Sequence, residues 1–218
     1  KSSFASQFDS KELITWCNGC GNFGVINALK RALTLENLGI QDTLICFDIG
    51  CNGNCADKLS AYTLHGLHGR VLSAAAGAVL ANPKMKVIAV AGDGATFSEG
   101  VNHLVHAIRS NYPMLFIMHN NENYGLTIGQ ASATTRKDQK MSGSPDGPTA
   151  TPLNAMEMIL GLRPTFAARC FSGMVGHMTE VFQAGLKHNG FACVEVMHRL
   201  FLAFDLPFLG ANLLKFVH

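Results

Sequence analysis

The stretch from Lys86 to Gln130, KVIAVAGDGATFSEGVNHLVHAIRSNYPMLFIMHNNENYGLTIGQ, limits the possible folds more than any other part of the chain. Val87 to Ala91 is short, apolar and partly β-branched, which predicts a buried strand. It runs directly into Gly92-Asp93-Gly94. Val101, Leu104, Val105 and Ile108 then fall at i, i+3, i+4 and i+7, the spacing of an amphipathic helix. Pro113 ends that helix, Met114 to Met118 reads as a second buried strand, and Asn120-Asn121-Glu122-Asn123 follows. A strand, a helix and a strand in this order make a β-α-β unit, and open parallel sheets bind ligands at the carboxyl ends of their strands.

Those ends carry chemistry. Asp93 offers a carboxylate and Asn121 a carboxamide, two hard oxygens that suit Mg²⁺ when phosphate oxygens and water complete the shell. Gly92 and Gly94 let a phosphate approach the backbone closely and leave N–H groups free to donate. A Gly-Asp-Gly hairpin turn is the alternative, but a hairpin needs neither the strand before nor the helix after.

The rest of the chain extends the pattern. Thr15 to Gly21 holds a Cys-x-x-Cys knuckle, Cys17 and Cys20, before a helix with Ile26, Leu29 and Leu33 on one face. Leu44 to Ile49 reads as a strand that ends in the glycine-rich loop Gly50-Cys51-Asn52-Gly53-Asn54-Cys55. His65 to Arg70 opens a helix of small residues, Ser73 to Ala81, which Asn82-Pro83 stops. Residues 131–152 are polar and rich in Pro and Gly, as in a long loop that covers a site or meets a partner. Asn154 to Leu160 and Thr179 to His188 read as helices, with Asn189-Gly190 closing the second. Thr165 to Arg169 and Phe191 to Met197 read as strands. Alternating strands and helices predict an α/β fold: a doubly wound, mostly parallel sheet with helices on both faces, in one domain over residues 1–218. Residues 1–14 read as a polar lead-in and 198–218 as an apolar tail.

Composition narrows the function classes. The chain has 218 residues, 48% hydrophobic and 15% charged, enough to fill a core. A formal charge of +2 with no basic run gives no footprint for nucleic acid, and no apolar run approaches the roughly 18 residues of a membrane span. The start lacks an apolar signal core, and Lys1 is not an initiator methionine, so a fragment of a longer protein is one expectation. Seven cysteines in such a chain point to a reducing, cytoplasmic setting, where clustered thiols more often bind metal than form disulfides.

Taken together, Trp-Cys-x-Gly-Cys-Gly, Ile-Gly-Cys, His-Gly-Leu-His-Gly-Arg, Gly-Asp-Gly with Asn-Asn, and Tyr-Gly-Leu-Thr-x-Gly-Gln resemble the β subunit of 2-oxoacid:ferredoxin oxidoreductases over about Thr15 to Met197. The resemblance implies a thiamine-diphosphate-binding fold. It implies an enzyme in which a 2-oxoacid, such as pyruvate or 2-oxoglutarate, adds to thiamine diphosphate, loses CO₂ and gives up two electrons singly. The acyl group passes to coenzyme A, and a [4Fe–4S] cluster hands the electrons toward ferredoxin. By the same resemblance Asp93 and Asn121 ligate Mg²⁺ with the carbonyl of Asn123. Ile49, Gly50, Cys51 and Asn52 line the thiazolium and diphosphate, and His68 lies near the diphosphate. Gly92 belongs to the diphosphate motif. Gly94 and Ala95 donate backbone N–H groups there, and Tyr124, Gly125, Leu126 and Thr127 close over it. His65 is either a second contact or a helix-start residue, and Thr127 either a ligand contact or a helix N-cap.

Cys17, Cys20 and Cys51 fall on the family's cluster ligands, and soft thiolates suit Fe–S clusters. Zinc or a redox dithiol is the alternative for Cys-x-x-Cys. The family's fourth cysteine aligns with Arg199-Leu200, which leaves Cys55 as the local substitute and Cys170 and Cys193 as core residues. Ile128 stands where related chains often carry Lys; if it faces substrate, the site should favour small or apolar 2-oxoacids over 2-oxoglutarate, while the rest of the turn resembles the 2-oxoglutarate or broad-specificity branch, so the substrate stays open. No glutamate here matches the one that activates the cofactor's aminopyrimidine. Glu99 and Glu122 lie at the diphosphate end, so no catalytic residue is assigned, and an α subunit is expected to complete a heterodimeric site. A non-redox thiamine-diphosphate decarboxylase or synthase subunit, and a scaffold that has lost electron transfer, are the competing readings.

Overall fold

Apolar β-branched runs become strands here, and the amphipathic or alanine-rich runs between them become helices. The structure, a computed structural model, describes residues 7–198 and 215–217. Its helices are α1 (Asn22–Leu35), α2 (Val71–Ala81), α3 (Val101–Ser110), α4 (Ala155–Gly161) and α5 (Val175–Lys187). Its strands are β1 (Thr43–Phe47), β2 (Tyr62–His65), β3 (Lys86–Gly92), β4 (Met114–Asn120), β5 (Phe166–Phe171), β6 (Phe191–Met197) and β7 (Lys215–Val217). They form one sheet in the order β2-β1-β3-β4-β6-β5-β7. Neighbours from β2 to β5 are parallel, and β7 pairs antiparallel with β5.

Successive side chains of a strand face opposite sides of the sheet, and both sides are covered. Ile88, Val90, Leu115 and Ile117 pack with α1 and α5 in one core. Val87, Ala89, Met114, Phe116 and Met118 pack with α2, α3 and α4 in the other. Burial on both faces is why β3 and β4 read as unbroken apolar runs. The expected doubly wound, mostly parallel sheet is therefore what the chain forms.

Several local expectations are corrected. Tyr62–His65 is a strand, β2, at the sheet edge; its mostly exposed side chains give no apolar run to read. The helix expected at residue 179 begins at Val175. The lead-in is not wholly polar surface, because Phe8 is buried in the core beside α1 and Asp9 bridges to Leu59. Arg199-Leu200 and most of the 198–218 tail lie outside the described residues.

Three parallel strands place the site. β1, β3 and β4 lie side by side, so their carboxyl ends open at one edge. Asp48 follows β1, Asp93 follows β3 and Asn121 follows β4.

Candidate functional site

At that edge is a pocket of about 80 Å³. Its walls come from segments far apart in sequence: the loop Ile49, Gly50, Cys51 and Asn52; His68; Gly92, Asp93, Gly94 and Ala95; and the turn Asn121, Asn123, Tyr124, Gly125, Leu126 and Thr127, with Asn22, Glu99, His119 and His198 completing the lining. Every expected cofactor-binding residue except His65 thus meets around one space. His65 is neither a pocket contact nor a helix start. It ends β2, and its ring lies against Gly53, where a Cβ would come within 2.6 Å of Nε2.

Local structure explains the cradle. Chain geometry turns sharply at Gly50, with φ of 140°, which glycine alone adopts readily. After Asp93 the backbone makes a π-helical turn, Gly94–Glu99, before α3 starts; such turns gather at functional sites. A Cβ on Gly94 would lie 2.5 Å from the Tyr124 ring. The Tyr124 hydroxyl donates to Glu99 Oε1 at 3.2 Å, tying the turn after β4 to the turn after β3. Thr127 caps no helix; its hydroxyl donates to Gln130 Oε1.

Asp93 is 1% exposed. Burial pushes its carboxyl pKa up, opposed by hydrogen bonds from Ser132 and Thr134. Both hydroxyls donate to Oδ2 at 2.5 Å. Thr134 also lies 3.3 Å from Asn120 Oδ1, and Asn120 donates to Glu195 Oε1 at 2.7 Å. Glu195 is fully buried and pairs with Arg169 at 2.6 Å. Asp48 is a second buried carboxylate, held by the N–H groups of Ile49, Gly69 and Val71 at 2.7, 3.1 and 3.4 Å. It joins the end of β1 to the start of α2 and so sets His68.

Asn123 Oδ1, His119 Nε2 and both ring nitrogens of His198, all on residues that line this pocket, are buried with no hydrogen-bond partner among the described residues. Burial pushes His119 down to about 3, so its ring is neutral. Orphaned polar atoms beside a hard-oxygen pair are what a site for a hydrated cation and a polar ligand presents.

A second cavity, of about 750 Å³, opens beside the first and shares Cys51, Asn121, Asn123, Gly125, Leu126 and His198 with it. Cys17, Cys20 and Cys51 all line it, and the Trp16 indole donates to the Cys51 carbonyl. The thiols are close enough that Cys20 and Cys17 add to the rise that burial imposes on Cys51. Cys55 does not join them. It is 1% exposed among apolar residues, and burial raises its thiol to about 12. Cys170 and Cys193 are likewise buried, as expected of core residues. Among the described residues no group of three or more His, Cys, Asp or Glu side chains is placed to hold a metal ion, and this includes the Cys17, Cys20 and Cys51 thiols. His198, whose two ring nitrogens are buried with no partner among the described residues, shares the cavity wall with the thiols.

Sequence reasoning missed Asp48, Ser132, Thr134 and Glu195. The hydroxyl pair carried no signal beyond a polar loop, whereas Asp48, directly before Ile49, had the same strand-end position as Asp93.

Comparison with known proteins agrees with this geometry. Residues 48–196 match the family described as the thiamine pyrophosphate enzyme, C-terminal TPP binding domain. Subunit β of 2-oxoacid:ferredoxin oxidoreductase 1 from Aeropyrum pernix is 36% identical over 84% of this chain and 57% of its own length. The 2-oxoglutarate synthase subunit KorB from Archaeoglobus fulgidus is 31% identical over 90% of this chain and 74% of its own. The chain belongs to the 2-oxoacid:ferredoxin oxidoreductase β-subunit family. In three dimensions it is similar to a 2-oxoglutarate:ferredoxin oxidoreductase from Magnetococcus marinus solved with 2-oxoglutarate, coenzyme A and succinyl-CoA bound. The TM-score is 0.89 at 30% identity, covering 94% of this chain and 72% of that one. The chain spans 57% of the A. pernix relative and 51% of KorB from Mycobacterium tuberculosis, little more than half of either.

Proposed function

We propose that this chain is the thiamine-diphosphate-binding subunit of an enzyme that oxidatively decarboxylates a 2-oxoacid to an acyl-CoA and passes the electrons to ferredoxin. The observation that supports this reading is that Asp93 and Asn121 line one pocket and Cys17, Cys20 and Cys51 line the adjoining cavity, with Cys51 on the wall of both. Thiamine diphosphate with Mg²⁺ supplies the carbon nucleophile and electron sink for decarboxylation, and a [4Fe–4S] cluster beside it supplies a one-electron path.

The chain's own residues bind and orient. Asp93, Asn121 and the Asn123 carbonyl would hold the cation. Ile49 to Asn52, His68, Gly92, Gly94, Ala95 and the 124–127 turn would hold the diphosphate and thiazolium. Cys17, Cys20 and Cys51 supply three soft donors and need a fourth from elsewhere. Glu99 is the one glutamate on the pocket wall among the described residues, and its Oε1 accepts from the Tyr124 hydroxyl at the diphosphate turn, so the glutamate that activates the aminopyrimidine is expected from an α subunit. Residues 7–198 then form one cofactor-binding domain.

The redox reading is favoured over a non-redox decarboxylase because Cys51 of the proposed cofactor loop shares the adjoining cavity with Cys17 and Cys20, and decarboxylation alone has no use for three thiols there. The test is anaerobic co-purification with the α subunit. We expect a brown complex with roughly four iron and four sulfide per chain, reducing a dye only when 2-oxoacid and coenzyme A are both present. Decarboxylation by a colourless, iron-free complex would establish the non-redox reading. Thiamine diphosphate binding without turnover would establish a scaffold.

A further inference from the structure

Loop 131–152 is polar, yet three of its hydroxyl residues are buried: Ser132 at 8%, Thr134 at 5% and Thr135 at 1% exposure. Burying hydroxyls costs free energy unless each finds a partner, so what they bond to says why the loop folds inward. Each hydroxyl has one proton to give. Ser132 and Thr134 direct theirs to Asp93 Oδ2, from 39 and 41 residues away in sequence. Thr135 directs its proton to the Glu122 carbonyl at 2.6 Å, and its oxygen accepts the Ser132 N–H at 2.8 Å. The loop therefore grips both strand ends that carry the expected cation ligands: Asp93 after β3, and the turn that includes Asn121 and Asn123 after β4.

We infer that Ser132 and Thr134 are positioning residues for the divalent cation. They fix the plane of the Asp93 carboxylate by occupying Oδ2, so that Oδ1 is the oxygen with capacity for the metal, while Thr135 ties the loop to the Asn121–Asn123 turn through the Glu122 carbonyl. This rests on the reading of Asp93 as a metal ligand, and it adds residues and a role which that reading does not contain. A carboxylate whose rotation is stopped by two donors loses less freedom when it ligates, and removing such outer partners commonly weakens metal binding by about 10–100-fold.

The experiment is a Mn²⁺ titration, read by the electron paramagnetic resonance of free Mn²⁺, at fixed thiamine diphosphate on the full chain in its purified complex. Ser132→Ala and Thr134→Val should each weaken Mn²⁺ binding by about tenfold or more. Thr134→Ser, which keeps the hydroxyl, should return it to within about twofold of the unaltered chain. A purely structural role would lower the unfolding midpoint in both Thr134 variants without sorting their Mn²⁺ affinities by the presence of the hydroxyl. Should Thr134→Val fail to fold, Ser132→Ala against Ser132→Thr makes the same comparison. The inference alone is overturned if Asp93→Asn abolishes binding but the hydroxyl-free variants bind like the unaltered chain. If Asp93→Asn also binds normally, the metal reading fails and this inference falls with it.

Discussion

Asp93 shows how one residue trades stability for function. Its carboxylate sits out of water with its pKa pushed up by burial, while two hydroxyls pull it back. A folded-state pKa above the unfolded value means that the stabilising contribution is present in acid and lost as pH rises through the folded pKa. Above the unfolded pKa the metal-free chain therefore keeps the Asp93 carboxyl buried at a cost. We expect Asp93→Asn in EDTA to melt at or above the unaltered chain at pH 7, with the difference shrinking as the pH falls. Mg²⁺ with thiamine diphosphate should stabilise only the unaltered chain. Scanning calorimetry at several pH values measures both effects.

Ile128 is the second residue of this kind. It is a β-branched residue at φ of 64°, 75% exposed on the wall of the larger cavity. The left-handed region costs such a side chain about 1–2 kcal/mol, and an exposed apolar residue there recovers little by burial. Ile128→Lys should raise turnover of 2-oxoglutarate relative to pyruvate, because a cation can meet the distal carboxylate. An unchanged ratio in steady-state assays would assign discrimination elsewhere, and Arg136 and Lys140 line the same cavity. Residues such as Asp93 and Asn121 were legible because glycines and strand ends frame them. Ser132 and Thr134 were not, since nothing local distinguishes a loop hydroxyl that turns inward from one that faces water.

At the scale of elements, the buried strands were legible because burial on both faces forces continuous apolar runs. Phe191 to Met197 was expected as a strand and is β6. β2 escaped because an edge strand with exposed side chains has no such run. The start of α5 escaped because its first turn, Val175-Gly176-His177, shows no helical period. Close approach is visible only in three dimensions. A Cβ on Gly24 of α1 would lie 2.3 Å from the Ser172 carbonyl, beyond the end of β5. Backbone cannot yield there as a side-chain end can, so Gly24→Ala should destabilise by about 1–3 kcal/mol despite alanine's higher helix propensity. Urea unfolding would measure this. The same contact presses α1 and the cysteine knuckle before it onto the sheet, so iron content should fall with it.

On the proposed reading the whole molecule is half of a catalytic unit. One sheet brings separated segments to a single edge, and on the proposed reading the pocket they build holds a diphosphate and a cation, while Glu99 on its wall is bonded to Tyr124. Among the described residues no helix is long and apolar enough to cross a membrane. What was legible at this scale was the order of the motifs. What was not is the fourth donor for the thiols, because the tail that aligns with it departs from the family. The central claim is that Asp93 and Asn121 share one divalent cation over the diphosphate. Its most direct test is the anomalous difference map of a crystal grown with thiamine diphosphate and Mn²⁺. We expect a manganese peak about 2–2.3 Å from a side-chain oxygen of each residue. A peak elsewhere, or a diphosphate bound with no metal between it and these two side chains, would contradict the account.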